Sequence, residues 1–184
     1  MNNTKQTLFQ IPFWHMKVSG FDKKKKELTE MLELYPEEKL DQEFSTNRQR
    51  FDNTSLISTD RGYLAENFAS ILKYEMNNIS NELKKDIVVT DVWSVSYAKN
   101  EFHPPHNHGT TGLTGILYLD LPKGAPGTQF IQPWNNYETD RSEQGQIFVK
   151  EGDIIIVPKF LLHYTKPNKT NELKRIISWD MKLV

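Results

Sequence analysis

The chain has 184 residues, 37% hydrophobic and 26% charged, a mix that suits one soluble globular domain with a buried core. Its formal net charge is −1, from 23 Lys+Arg against 24 Asp+Glu, which removes the electrostatic reason to expect nucleic acid or an anionic membrane as the main partner. There is no cysteine, which excludes disulfides, a thiolate nucleophile, a Cys zinc site and an iron–sulfur cluster, so any metal must be held by His, Asp or Glu.

The opening Met1 to Gln10 is polar, and no apolar run approaches the ~18 residues of a membrane span. Both features point to a cytoplasmic protein. Leu8, Phe9, Ile11, Phe13 and Trp14 form a short apolar opening with Pro12 inside it, which suits an edge strand. Asp22 is positioned to cap a helix through Tyr35, with Leu28, Met31, Leu32 and Tyr35 on one face and Pro36 as its stop. The run Lys23 to Lys26 is followed by Glu27, Glu30 and Glu33, which reads as a solvated helix face and not a binding patch. The polar stretch Asn47 to Thr59 reads as loop. A second helix is predicted from Arg61 to Lys85, capped by Asp60, with Leu64, Phe68, Ile71, Leu72, Ile79 and Leu83 keeping the helical period.

From about residue 90 the period changes to two. Val92–Ala98, Leu113–Leu121, Gln146–Val149, Ile154–Val157 and Arg175–Leu183 are short β-type runs separated by Pro, Gly and Asn. Helices followed by such strands predict an α+β, mainly β domain with the helices packed outside a sandwich or barrel. The whole of 1–184 is expected to be one domain, with 1–90 as helical support and 91–184 as the β core. Pro122 to Gln146 is long for a connection and carries Trp134, Tyr137 and Arg141, although Thr128 to Gln132 has strand character. It is the candidate for a lid that selects substrate.

Four of the five histidines lie in this second part. His103, His106 and His108 fall together in Glu101-Phe102-His103-Pro104-Pro105-His106-Asn107-His108. In extended chain, His106 and His108 point to one side, as two ligands of one metal must. His163, just past the buried run Gly152 to Pro158, is the candidate third ligand, and imidazole suits Fe, Zn, Cu or Ni. A lone H-x-H is common, so its context decides. His15 lacks that context and reads as a packed residue. Arg175, Ile177 and Trp179 share one strand face. If that face looks inward, Arg175 needs an anionic partner, either a protein carboxylate or a ligand's.

The stretch His103-Pro104-Pro105-His106-Asn107-His108, followed by Leu113-Thr114-Gly115-Ile116-Leu117-Tyr118-Leu119, resembles the 2-oxoglutarate/Fe(II)-dependent oxygenases. It is most similar to the short bacterial and phage P-H-x-H branch of the prolyl-hydroxylase-like superfamily. Glu151-Gly152-Asp153 to Pro158, His163 and Arg175-Ile176-Ile177-Ser178 resemble that family's last core strands, and Leu8 to Trp14 its usual start. The resemblance implies a double-stranded β-helix, or jelly roll, that holds one Fe(II). It implies 2-oxoglutarate and O₂ as cosubstrates, and hydroxylation of a substrate with release of succinate and CO₂. A cytoplasmic site would be the host's if a phage encodes the chain. His106 and His163 fall on the family's metal histidines. His108 falls where most relatives carry Asp or Glu, which leaves the iron one charge more positive. Arg175 would pair with the distal carboxylate of 2-oxoglutarate. Tyr118 resembles the tyrosine that hydrogen-bonds that carboxylate, and Tyr97 lies near a second such tyrosine. The substrate, a prolyl or other peptide side chain, a small molecule or a nucleotide, is not encoded in these motifs.

Two other readings stand beside this one. A cupin-type metalloenzyme fits His106-Asn107-His108 and His163. However, Gly112 and Leu113 stand where cupins usually place a glutamate, and Arg175 has no role there. A non-catalytic jelly roll that binds carbohydrate or serves a structural role leaves the histidine cluster unexplained.

Overall fold

The computed structural model describes residues 10–35, 37–42, 45–51 and 63–184. Its elements in chain order are β1 (Trp14–Lys17), α1 (Phe21–Glu33), β2 (Glu37–Gln42), β3 (Ser45–Phe51), α2 (Tyr63–Ile71) and α3 (Lys73–Leu83). There follow β4 (Ile87–Tyr97), β5 (His103–His106), β6 (Leu113–Asp120), β7 (Thr128–Asn136), β8 (Arg141–Gln146), β9 (Asp153–Pro158), β10 (His163–Thr165) and β11 (Lys174–Leu183). Seven strands form one sheet in the order β1-β9-β6-β11-β4-β3-β2, and four form a second in the order β5-β10-β7-β8. The pairings are antiparallel.

The central strands of the large sheet, β4, β6, β9 and β11, are buried on both faces. On one face Leu117, Ile154, Ile156, Ile177 and Trp179 pack against Leu28 and Leu32 of α1 and Leu64 and Phe68 of α2. The Trp179 and Phe68 rings lie 4.9 Å apart. On the other face Val95, Tyr97, Ile116, Tyr118, Ile155 and Ile176 close against Phe130 and Leu161 from the second sheet's side. Alternate residues of β6, β9 and β11 thus feed two cores, which is why these strands read as nearly unbroken apolar runs. Burying each such side chain is worth about 1.5–3 kcal/mol.

The mainly β architecture with helices outside the strands agrees with the sequence expectation. Several details differ from it. The first ninety residues are more than helical support, because β1, β2 and β3 join the large sheet. The edge strand is Trp14–Lys17, which begins at the last residue of the apolar opening, and it pairs with β9. Leu8 and Phe9 of that opening lie outside the described residues. Residues 47–51, expected as loop, belong to β3, whose polar sequence hid its pairing with β2 and β4. Gly20 is the N-cap of α1, so Asp22 sits inside the first turn, where its charge favours the helix dipole. The expected long second helix is two, separated at Leu72 with φ −100° and ψ 22°, and its proposed cap Asp60 lies outside the described residues. The long connection 122–146 is a hairpin, β7–β8. The run Gln146–Val149 leaves the strand after Gln146, because Ile147 and Val149 pack on the second core instead of pairing.

The lysine run also divides. Lys23 and Lys26 are exposed and face Glu27 and Glu30 one turn on, as expected of a solvated face. Lys24 instead reaches the buried Glu75 of α3 at 2.7 Å. Lys25 bridges Asp120 and Glu151, both at 2.7 Å. These partners are far along the chain, which no local pattern could show. Among the described residues, no helix is long and apolar enough to cross a membrane.

Candidate metal centre

The two prolines of His103-Pro104-Pro105-His106 hold β5 extended at the edge of the four-stranded sheet, where a missing N–H is tolerated. The central strand β10 runs beside it with His163 opposite His106. The chain then turns through Gly109 and Gly112, both at positive φ. A Cβ on Gly112 would lie 2.4 Å from the Met181 carbonyl, so only glycine fits this approach to β11. The amide of His108 donates to Lys159 O and that of Lys159 to Gly112 O, which ties the turn to the end of β9.

Three imidazoles meet at this place. The candidate ligand atoms of His106, His108 and His163 all lie within 4.8 Å of one another. Each ring has its Nδ1 against an oxygen that can only accept. His106 Nδ1 is 2.8 Å from Pro104 O, His163 Nδ1 is 2.9 Å from Leu161 O, and His108 Nδ1 is 2.9 Å from Asp180 Oδ1. The proton therefore sits on Nδ1 and each Nε2 keeps its lone pair, the tautomer a metal requires. Burial, with His106 beside it, pushes His163 down to about 3, and burial also lowers His106. Both rings are thus neutral and ready to ligate. Three converging imidazole lone pairs fit Fe(II) or another first-row divalent ion.

His103 stacks on His106 at 4.0 Å and is lowered to about 3 by burial and by His106 and His108. It lines the same chamber and is not one of the converging three. Behind His108, Asp180 also meets Lys159 at 2.7 Å. Burial opposes its ionisation, but the hydrogen bonds from His108 and Lys159 outweigh that and hold its carboxyl below its usual range. The chamber continues past Trp93, Val95, Ile116, Thr128, Ile176 and Ser178 as a narrow space between the sheets.

Tyr97 and Tyr118 both point into this interior and are about 1% exposed. The Tyr118 hydroxyl donates to Thr128 Oγ1 at 2.9 Å and accepts from the Thr128 amide at 3.2 Å. The Tyr97 hydroxyl bonds the Thr165 side chain, and burial pushes both phenols up. Arg175 is not in the chamber. It shares the face of Ile177 and Trp179, as alternation requires, but that face looks to the helices. Its anion is Asp120, a protein carboxylate.

The cation that does enter the chamber side is the preceding residue, Lys174, which the sequence reading passed over. It lies opposite Tyr97 in the β4–β11 ladder, on the face of Ile176. Lys174 is 0% exposed. Its Nζ donates to Pro126 O at 2.7 Å and lies 5.1 Å from the centre of the Tyr97 ring. Among the described residues no carboxylate comes within ion-pair distance of it. Burial pushes it down to about 7. The alternation Lys174, Ile176, Ser178 was the available signal, since Ser178 and Ile176 line the histidine chamber.

Trp134, Tyr137 and Arg141 lie toward the turn of the β7–β8 hairpin and are exposed, with the Tyr137 hydroxyl on Glu138. His15 contacts Asp153 at 3.0 Å, away from the centre.

Residues 91–180 match the family described as "Putative 2OG-Fe(II) oxygenase". No curated protein matches the sequence. Solved structures share its fold at low identity. A prolyl-4-hydroxylase from Pseudomonas putida has TM-score 0.61 at 8% identity, covering 94% of this chain and 93% of its own. A 2OG-Fe(II) oxygenase-family oxidoreductase from Burkholderia pseudomallei has TM-score 0.65 at 10% identity, over 92% and 84%. HygX from Streptomyces hygroscopicus, solved with nickel and 2-oxoglutarate bound, has TM-score 0.64 at 11% identity, over 94% and 83%. The two antiparallel sheets are therefore those of the jelly roll.

Proposed function

We propose that this chain is a 2OG-Fe(II) oxygenase, a reading supported by the match of residues 91–180 to that family's model, and that its residues divide the work as follows. On this reading the protein is an Fe(II)- and 2-oxoglutarate-dependent dioxygenase. His106, His108 and His163 hold the metal, and Lys174 grips the distal carboxylate of 2-oxoglutarate. The observation that carries this reading is the convergence of three imidazoles whose Nδ1 protons are all engaged elsewhere.

Fe(II) held by His106, His108 and His163 together with 2-oxoglutarate would supply the O₂ chemistry of hydroxylation, with succinate and CO₂ as the coproducts. The protein's own task is placement. A fully buried ammonium with only a carbonyl partner is a costly arrangement, and an incoming carboxylate relieves it. Tyr118 adds a second grip by turning its hydroxyl proton from Thr128 Oγ1 to the same carboxylate, while it keeps the bond from the Thr128 amide. Tyr97, whose hydroxyl is already engaged, supports the lysine with its ring. Arg175 is a framework residue that, with Lys25, anchors Asp120 against α1. The apolar walls Trp93, Val95, Ile116 and Ile176 exclude water from the reacting groups. A cupin-type site gives no reason for a buried cation at Lys174.

The candidate substrates are a peptide side chain, a small molecule and a nucleotide. The test is a screen of such candidates with Fe(II), ascorbate and O₂, read as succinate release. Succinate formed in step with a hydroxylated product, and lost in His163→Ala, is the expected result. A protein that loads metal yet never consumes 2-oxoglutarate would contradict the reading.

A further inference from the structure

We infer that Asp180 is a positioning residue that supplies negative charge to the metal centre through His108. This rests on the reading of His106, His108 and His163 as ligands. The three histidines differ in what lies behind them. Main-chain carbonyls hold His106 and His163, whereas His108 leans on a carboxylate at 2.9 Å. Asp180 is 8% exposed, on the chamber-facing side of β11 with Ser178 and Ile176. Such a position is costly for an anion unless it does specific work or is well paired.

The pairing is arranged so that the charge stays directed at His108. One oxygen, Oδ1, takes the imidazole, and the other, Oδ2, takes Lys159 at 2.7 Å. Thr114 Oγ1 lies 3.0 Å from the same His108 nitrogen and donates its proton to Trp179 O at 3.1 Å, so toward the ring it too can only accept. Two acceptors therefore fix the ring's tautomer and its angle. Three neutral imidazoles contribute no charge against a divalent cation. A carboxylate one imidazole away restores part of that charge without occupying a coordination position. Carboxylates placed behind ligating histidines raise the ligand's basicity and typically contribute 10–100-fold to metal affinity. Lys159 neutralises part of the same carboxylate and so limits how much charge reaches the ring.

The experiment is an anaerobic Co(II) titration of the full chain, followed by the visible d–d spectrum, without cosubstrate or turnover. The parent should bind one Co(II) per chain. Asp180→Asn keeps size and an acceptor but removes the charge, and should weaken Co(II) about 10–100-fold and move the d–d bands. In a His108→Ala background the same change should alter the residual affinity by less than about twofold, since the route is gone. Asp180→Asn binding Co(II) within about twofold of the parent overturns the inference, as does an undiminished effect in the His108→Ala background. Should Asp180→Asn fail to fold by near-UV dichroism, Lys159→Gln carries the test. It frees the carboxylate of its competing cation, so affinity should exceed the parent's, and an unchanged or lower affinity overturns the inference. A parent that binds no Co(II) defeats the three-histidine reading itself. A binding parent with an indifferent Asp180→Asn defeats only the role of Asp180.

Discussion

Lys174 and Arg175 are adjacent in sequence and serve opposite faces of one sheet. Lys174 pairs across the ladder with Tyr97 and is sealed in the chamber side, its Nζ on the Pro126 carbonyl. Arg175 pairs with Asp120 on the helix side, where Lys25 meets the same carboxylate. One residue of strand period thus separates a cation available to a ligand from a cation already matched within the fold.

If Lys174 grips 2-oxoglutarate as proposed, cosubstrate binding should depend on pH. Burial lowers this amine to about 7, so in the free protein it is charged below that pH and neutral above it. The dianion needs the ammonium. Affinity of the Mn(II)-loaded protein for 2-oxoglutarate should be level below about pH 7 and weaken roughly tenfold per pH unit above it. Calorimetry across this range checks the profile, and Lys174→Met should flatten it. A parent profile flat through pH 7–9 would place the titrating group elsewhere.

Gly115 is required by Trp179. A Cβ there would lie 2.1–2.2 Å from atoms of the Trp179 ring, which is itself fully buried against Phe68. Gly115→Ala should cost at or above the upper end of the ~1–3 kcal/mol typical of overpacking. Urea unfolding should show a lower midpoint at unchanged slope. Parent-like stability would mean that the ring has room to move.

Within the lysine run, the pair Lys24–Glu75 should dominate stability. Glu75 is about 1% exposed and is held by Lys24 and by the Ser19 amide. Lys24→Met strands that carboxylate and should cost about 3–5 kcal/mol, whereas Lys23→Gln and Lys26→Gln should stay within about 0.5 kcal/mol. Equal effects at all three positions would show that the buried pair contributes nothing special.

Much of this was legible in the sequence because it is periodic. The strand runs around Val92, Leu113, Ile154 and Ile176 carry their own alternation, and His106, His108 and His163 sit where strand geometry brings them together. The choice between Lys174 and Arg175 was not legible. Both faces of the sheet's central strands are buried, so alternation shows which residues share a face but not which face holds the chamber. The polar hairpin of β2 and β3 was hidden for the converse reason, since it offers no apolar period to read. The partners of Lys24 and Lys25 lie about fifty residues or more along the chain, beyond any local signal.

The most direct test of the account is to measure 2-oxoglutarate binding to the metal-loaded parent, to Lys174→Met and to Arg175→Ala, side by side with their metal content. Loss of one buried charged partner costs about 3–5 kcal/mol, so Lys174→Met should raise the dissociation constant several hundredfold or more while metal loading stays intact. Arg175→Ala should change it by less than about threefold, because its partner is Asp120. The account is contradicted if Arg175→Ala loses the cosubstrate and Lys174→Met keeps it, or if the metal-loaded parent binds no 2-oxoglutarate.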